Sequence, residues 1–177
     1  ADRLDELEPE GRYPGAGDAP QLYSLNAVAY ESLLVGMHYI HRGPKNEICA
    51  KGRFPKLIDL ELGFSRDGFH WDRPDRRGFI VGSRTEGRWD RAYLHSTAGV
   101  FVVLEDQLVF PYLGTSGVAP SGKRGMYTGA AVGLATLRRD GFASLDAEAQ
   151  GGGPLRPPAH SRLRRTGSGM QARSAGS

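Results

Sequence analysis

The sequence predicts an all-β protein, and three observations carry that expectation. Between Lys56 and Ser65 the residues alternate: Ile58, Leu60, Leu62 and Phe64 are apolar and Asp59 and Glu61 are acidic, the period of a strand with one buried face. β-Branched and aromatic residues crowd several short runs of this kind. The 25 glycines and 11 prolines break those runs at short intervals, which leaves little room for long helices.

In chain order, Ala27 to Glu31 and Leu33 to His41 read as strands, stopped by Arg42-Gly43-Pro44. A loop rich in Gly, Lys and Pro leads to the alternating run at 56–65. Asp67-Gly68 then turns the chain into Phe69-His70-Trp71, a hairpin signal because Gly accepts the positive φ of such turns. The order returns with Tyr93 to Ser96, Val100 to Leu104, the turn Glu105-Asp106, Leu108 to Leu113 and Ala131 to Leu137. Arg66-Asp67-Gly68-Phe69 reappears as Arg139-Asp140-Gly141-Phe142, 73 positions on, and Ser32 and Ser96, 64 positions apart, are expected to open corresponding units. Two four-stranded antiparallel modules at this spacing suggest about two blades of an incomplete β-propeller. A blade buries its faces against neighbours on both sides, so two blades are expected to be a fragment with apolar faces open.

The domain reading is an irregular approach segment at 1–24, the blades at 25–147, and a tail at 148–177. The first carries Asp5, Glu6, Glu8 and Glu10 followed by a Gly/Pro stretch. The tail is rich in Gly, Pro, Arg and Ser, too poor in apolar residues to order itself, and reads either as a disordered terminus or as a stretch translated out of frame. Five of the 23 basic residues and none of the 20 acidic ones lie beyond Gly151, so the rest of the chain is slightly acidic despite the formal charge of +3. No basic face with a reading element emerges, and no nucleic-acid partner is expected. No run reaches the ~18 apolar residues of a membrane span, and the N-terminus lacks a signal-peptide layout, which leaves the compartment open.

Cys49 is the only cysteine, so an internal disulfide or a Cys-based metal cluster is excluded. His38 and His41 sit three apart in a strand and point to opposite faces, and no other metal constellation stands out. Gly122-Lys123 lacks the upstream Gly of a phosphate loop. No cofactor is expected.

Two places hold candidate chemistry. In a propeller the innermost strands line the ligand channel, here Ala27 to Glu31 and Tyr93 to Ser96. Glu31, after Tyr30 on an apolar strand, is a candidate proton donor, against the plainer reading of a strand-end carboxylate satisfied by backbone donors. Trp89-Asp90-Arg91-Ala92-Tyr93-Leu94-His95 brings aromatic, carboxylate, guanidinium and imidazole groups into one short stretch. Aromatic faces stack on sugar rings while Asp90, Arg91 and His95 hydrogen-bond hydroxyls; the alternative is a surface turn with Trp89 packed between blades.

Leu25 to Ser32, Leu62 to Pro74, Trp89-Asp90-Arg91 and Gly133 to Phe142 together resemble the five-bladed β-propeller glycoside hydrolases, the invertase-like and arabinanase-like group, and within it uncharacterised bacterial family 32-like glycosyl hydrolases. The resemblance implies a carbohydrate substrate and hydrolysis of glycosidic bonds. It implies Glu31 as the acid; from their own chemistry, Asp90 is the candidate second catalytic residue and Tyr30, Trp89, Arg91 and His95 are candidate substrate-binding groups. Nothing matches the group's first-blade Asp motif or its Arg-Asp-Pro motif, and two-carboxylate chemistry needs its partner across the channel. A fragment inactive on its own is therefore expected. The rival reading is a non-catalytic propeller that binds a glycan or a protein through Trp89, Tyr93 and His95.

Overall fold

The computed structural model of the chain describes residues 20–97 and 99–142. Strands β1 (Gln21–Tyr30), β2 (Leu33–Gly43) and β3 (Leu57–Ser65) form one antiparallel meander, sheet A, in that order. The loop expected between β2 and β3 contains a short helix, α1 (Asn46–Gly52), closed by Arg53 in the left-handed conformation. Strands β4 (Ala92–Ser96), β5 (Val102–Leu104), β6 (Gln107–Thr115) and β7 (Ala130–Arg138) form sheet B. The antiparallel all-β class follows from these strands. The tail at 148–177 and most of the approach segment lie outside the described residues, and β1 starts at Gln21, ahead of the expected Leu25.

Neither sheet has the four consecutive strands that the sequence suggests. Phe69-His70-Trp71 is not a strand: Asp67 accepts the backbone N–H groups of Phe69 and His70, which curls the chain before it can pair. Only single bridges follow on the free edge of β3, at Asp72 to Phe64 and Ile80 to Leu60. In sheet B, β4 and β5 pair with the same edge of β6, as two halves of one strand, broken where Gly99 and Val100 take positive φ. The matching of Ser32 with Ser96 is therefore corrected. The Glu31-Ser32 turn corresponds to Glu105-Asp106, 74 positions on, and Glu31 and Glu105 share a positive φ of 51° and 53°. That spacing agrees with the Asp67 to Asp140 echo, so the unit is a three-stranded meander ended by an Asp-Gly turn.

The sheets stack face to face. Val35, Met37, Tyr39, Ile58 and Leu60 of sheet A meet Leu108, Phe110, Tyr112, Ala135 and Leu137 of sheet B in one buried cluster. Their mutual orientation follows from hydrogen bonding. Core-facing Leu60 and Phe64 on β3 bond outward, to Ile80 and Asp72, away from β2. On β7 the Arg139 N–H reaches Asp106 O, so the next ladder pair is Leu108 with Leu137, and core-facing Leu137 bonds inward to β6. In L-residues the side-chain face and the hydrogen-bonding edge are locked together by chirality. The two meanders therefore present opposite faces to each other, front against back, and do not close a ring.

Each sheet seats an indole on the face thus shown to correspond. Trp71 lies over Gly36 on the outer face of sheet A, and Trp89 lies over Gly114 and Gly133 on the inner face of sheet B. A Cβ at Gly36 or Gly133 would run into the ring, so glycine is required for this close approach. The chain from His70 to Arg84 then runs along the free edge of β3, packs Phe79 and Ile80 against the core, and straps the outer face of sheet A through Trp71, Arg73 and Arg84.

Candidate functional site

Asp59 and Glu61 alternate with the apolar residues of β3 and so lie on its other face, which in a half-buried strand turns to water. The structure buries them, at 2% and 0% exposure. Two residues apart, they share the outer face of sheet A, where Arg42 of β2 donates from Nε to Asp59 (2.9 Å) and from a terminal nitrogen to Glu61 (2.7 Å). From the strap, Arg73 reaches the other oxygen of Glu61 at 3.0 Å, and Arg84 reaches both oxygens of Asp59. The Gly82 N–H adds a bond to Asp59 at 3.1 Å. Buried charges persist only when paired and hydrogen-bonded. This set ties the strap to the sheet and leaves its carboxylates engaged.

A second constellation lies where one end of sheet A meets the start of sheet B. A bulge interrupts the pairing of β1 between Leu22 and Ser24, and another interrupts β4 between Ala92 and His95. Bulges re-aim side chains, and here the two displaced residues meet, with the Tyr23 and Tyr93 hydroxyls 3.2 Å apart. Tyr93 holds φ at +52°, a conformation that costs a bulky residue on the order of 1–3 kcal/mol and persists only where the surroundings enforce it. Lys56, just ahead of β3, is 3% exposed and sets its ammonium 4.7 Å from the Tyr23 ring centre and 5.4 Å from that of Tyr93. Among the described residues no carboxylate pairs with it. Cation–π contacts contribute roughly 0.5–2 kcal/mol, less than the several kcal/mol that desolvating an ammonium costs.

His95 completes the cluster. Its ring lies 4.7 Å from that of Tyr93, 5.0 Å from Tyr39 and 5.8 Å from Tyr23. Its Nε2 is buried with no hydrogen-bond partner. Burial, helped by the Lys56 charge, holds the imidazole below its usual range and favours the neutral form. Burial and the bond to Tyr23 push the Tyr93 phenol up, so it remains protonated. Behind His95, the Tyr39 hydroxyl lies 2.7 Å from Ser96 Oγ and accepts from Asn26 at 2.7 Å, fixing the ring that backs the imidazole. Tyr127, 58% exposed, packs edge-on against Tyr93 and opens the cluster to water. A cation, a neutral imidazole and several phenols can bind a polar ligand, and among the described residues no carboxylate stands with them for acid–base hydrolysis.

The residues singled out from sequence are dispersed. Glu31 is in the β1–β2 turn rather than on a strand, exposed, and accepts from Arg139 at 3.1 Å. Tyr30 donates to Asp140 at 2.6 Å and packs against Phe101 and Phe142; that carboxylate raises the phenol's pKa. Asp90 is buried beside Gly114, with Arg88 at 3.7 Å. Trp89 packs against Tyr112 with the rings tilted by 37° and their centres 5.4 Å apart, and half-buried Arg91 precedes β4. Glu31 meets sheet B where β7 ends beside Asp106, and Asp90 meets it at Gly114, the other end of β6. At ~3.3 Å per residue that stretch of strand spans roughly 25 Å, against the ~5–10 Å of a glycosidase pair. Of the six, only His95 belongs to the cluster.

Tyr23, Asn26, Tyr39, Lys56 and Tyr127 escaped the sequence reading, because residues scattered from 23 to 127 converge only in three dimensions. Among the described residues no His, Cys, Asp and Glu group is arranged to hold a metal ion, and no helix is long and apolar enough to cross a membrane. Burial pushes the Cys49 thiol up to about 11, which leaves it a poor nucleophile. No family model, curated protein or solved structure matches this chain.

Proposed function

We propose that this chain is part of a carbohydrate-active β-propeller protein of glycoside-hydrolase type, and that its own contribution is to bind sugar rather than to cleave it. The observation that carries the reading is the cluster at Tyr93: four tyrosine rings, two of them against an ammonium, beside an imidazole nitrogen that lacks a partner, with Tyr23 and Tyr127 open to water. Ring faces suit the C–H faces of a sugar, and the nitrogens and phenols suit its hydroxyls. The front-to-back stacking of the two meanders supports a propeller, because rotation about a central axis brings unlike faces of successive blades together. The distance between Glu31 and Asp90 weighs against hydrolysis by this segment alone.

Titrating the chain with a panel of neutral and acidic mono- and oligosaccharides, followed by tyrosine fluorescence, tests the reading. Binding that Tyr127→Ala weakens by about fivefold, with an unchanged melting temperature, is expected from loss of one stacking ring at about 1 kcal/mol. Absence of binding to every sugar would sink it. Turnover of an activated aryl glycoside that Glu31→Gln abolishes would restore the hydrolytic reading.

A further inference from the structure

We propose that the ligand of the Tyr93 cluster carries a single negative charge, a carboxylate, which Lys56 receives; the ligand class is then an acidic sugar, a hexuronic acid unit. This deepens the sugar-binding reading and rests on it. Lys56 is 3% exposed, and its ammonium faces only the rings of Tyr23 and Tyr93 among the described residues. An ammonium withdrawn from water calls for a counter-charge, and ring faces supply only a partial one. The neighbouring His95 Nε2 is the second group without a partner. In the tautomer that carries its proton there, it is a donor without an acceptor. The Tyr93 hydroxyl bonds those of Tyr23 and Tyr127, so two of the three phenol protons are used among them and one is left to donate. One cation with two neutral donors matches a two-oxygen monoanion, whereas a phosphate dianion would leave a charge unmatched.

The test titrates the full chain with glucuronic acid, glucose and sodium acetate at constant ionic strength, following tyrosine fluorescence and the His95 ring protons by NMR. Glucuronate is expected to bind roughly tenfold or more tightly than glucose, since a charge-assisted contact is added to the same ring stacking. It is also expected to raise the His95 titration midpoint, because the bound anion cancels the Lys56 charge that helps hold it down. Lys56→Met should bind the two sugars alike, and Lys56→Arg should keep the preference; if neither variant folds, the His95 midpoint in the unaltered chain decides. Equal affinity for glucose and glucuronate, with an unmoved midpoint, overturns the carboxylate and leaves sugar binding standing. A midpoint raised by acetate with neither sugar bound supports the anion site and overturns the sugar reading. No response to any of the three overturns both.

Discussion

Sheets A and B are the same three-stranded meander, yet they treat their outer faces in opposite ways. Sheet A covers its outer face with the strap from His70 to Arg84, pinned by Trp71 on Gly36 and by the buried Arg42, Asp59, Glu61, Arg73 and Arg84 set. Sheet B leaves Val102, Val132 and Leu134 exposed on its outer face, beside Val109 and half-buried Pro111 and Leu113. By cross-strand pairing these correspond to the inner face of sheet A: Val109 with Thr136 stands where Val35 with Phe64 stands, Pro111 with Leu134 where Met37 with Leu62 stands, and Leu113 with Val132 where Tyr39 with Leu60 stands. What sheet A buries against sheet B, sheet B offers to solvent. A repeated fold thus does not imply repeated energetics: one outer face is held by charges that must stay paired, and the other is covered by no strap among the described residues.

The largest contrast should come from breaking a charge in sheet A. Glu61→Ala leaves Arg42 and Arg73 buried and without that carboxylate, and the chain should lose about 3–5 kcal/mol of stability, read from urea unfolding. Leu134→Ser on the outer face of sheet B should stay within about 0.5 kcal/mol. Comparable losses would mean that the outer faces are not treated differently after all.

The indole seats should give an intermediate effect. Gly133→Ala drives a Cβ into Trp89, and Gly36→Ala drives one into Trp71. Each should cost about 1–3 kcal/mol, the range for overpacking. The Trp89 seat lies in the core between the sheets while Trp71 belongs to the strap, so Gly133→Ala should be the costlier of the pair. Thermal melting of the two variants compares them, and the reverse order would place the strap's packing above that of the core.

What the sequence disclosed and what it concealed divide along the same line. Strand periodicity and the Asp-Gly echo are local, so most strands and the 73-residue spacing were legible; that Phe69 to Trp71 fails to pair and that Ser32 does not match Ser96 were not. Alternation shows that Asp59 and Glu61 share a face but not that a strap will cover it, since the covering arginines come from positions 42, 73 and 84. The break between β4 and β5 depends on Val100 at φ +62°, and the site on Tyr93 at +52°, conformations that residue type argues against. His95 was legible as a polar group on a strand; its partners at 23, 39 and 56 were not, because only pairing register brings them together.

The outer face of sheet B should show itself in association rather than in folding. A contiguous apolar face on an edge sheet favours self-contact. Sedimentation across a concentration series should show self-association that Val132→Lys with Leu134→Lys suppresses, with the melting temperature of the dilute protein almost unchanged. A concentration-independent monomer for the unaltered chain would make this face an ordinary surface and weaken the propeller reading, which needs it covered.

The smallest contrast is between the two Asp-Gly turns, and it is a matter of pH. In sheet A, Asp67 accepts the backbone N–H groups of Phe69 and His70 and pairs with the His70 ring at 2.6 Å. The His70 contacts hold the Asp67 carboxyl well below its usual range, and Asp67 in turn raises His70. In sheet B the equivalent Asp140 accepts from Tyr30 instead. A depressed carboxyl stabilises the fold above its unfolded value, about 3.9, and that support fades as pH falls toward the folded value. A raised histidine stabilises below its unfolded value, about 6.5, and that support is lost as pH rises through the folded one. The turn of sheet A should therefore be firmest between about pH 4 and 6.5 and loosen on either side. Both groups are exposed, so the change belongs to local order rather than to global stability. Amide exchange at Gly68 and Phe69 between pH 5 and 8, corrected for intrinsic rates, should show protection falling with pH, while Gly141 and Phe142 hold constant. His70→Ala should remove the dependence on this upper side, and a pH response that persists without His70, or that appears equally at Gly141, would assign it to something the two turns share.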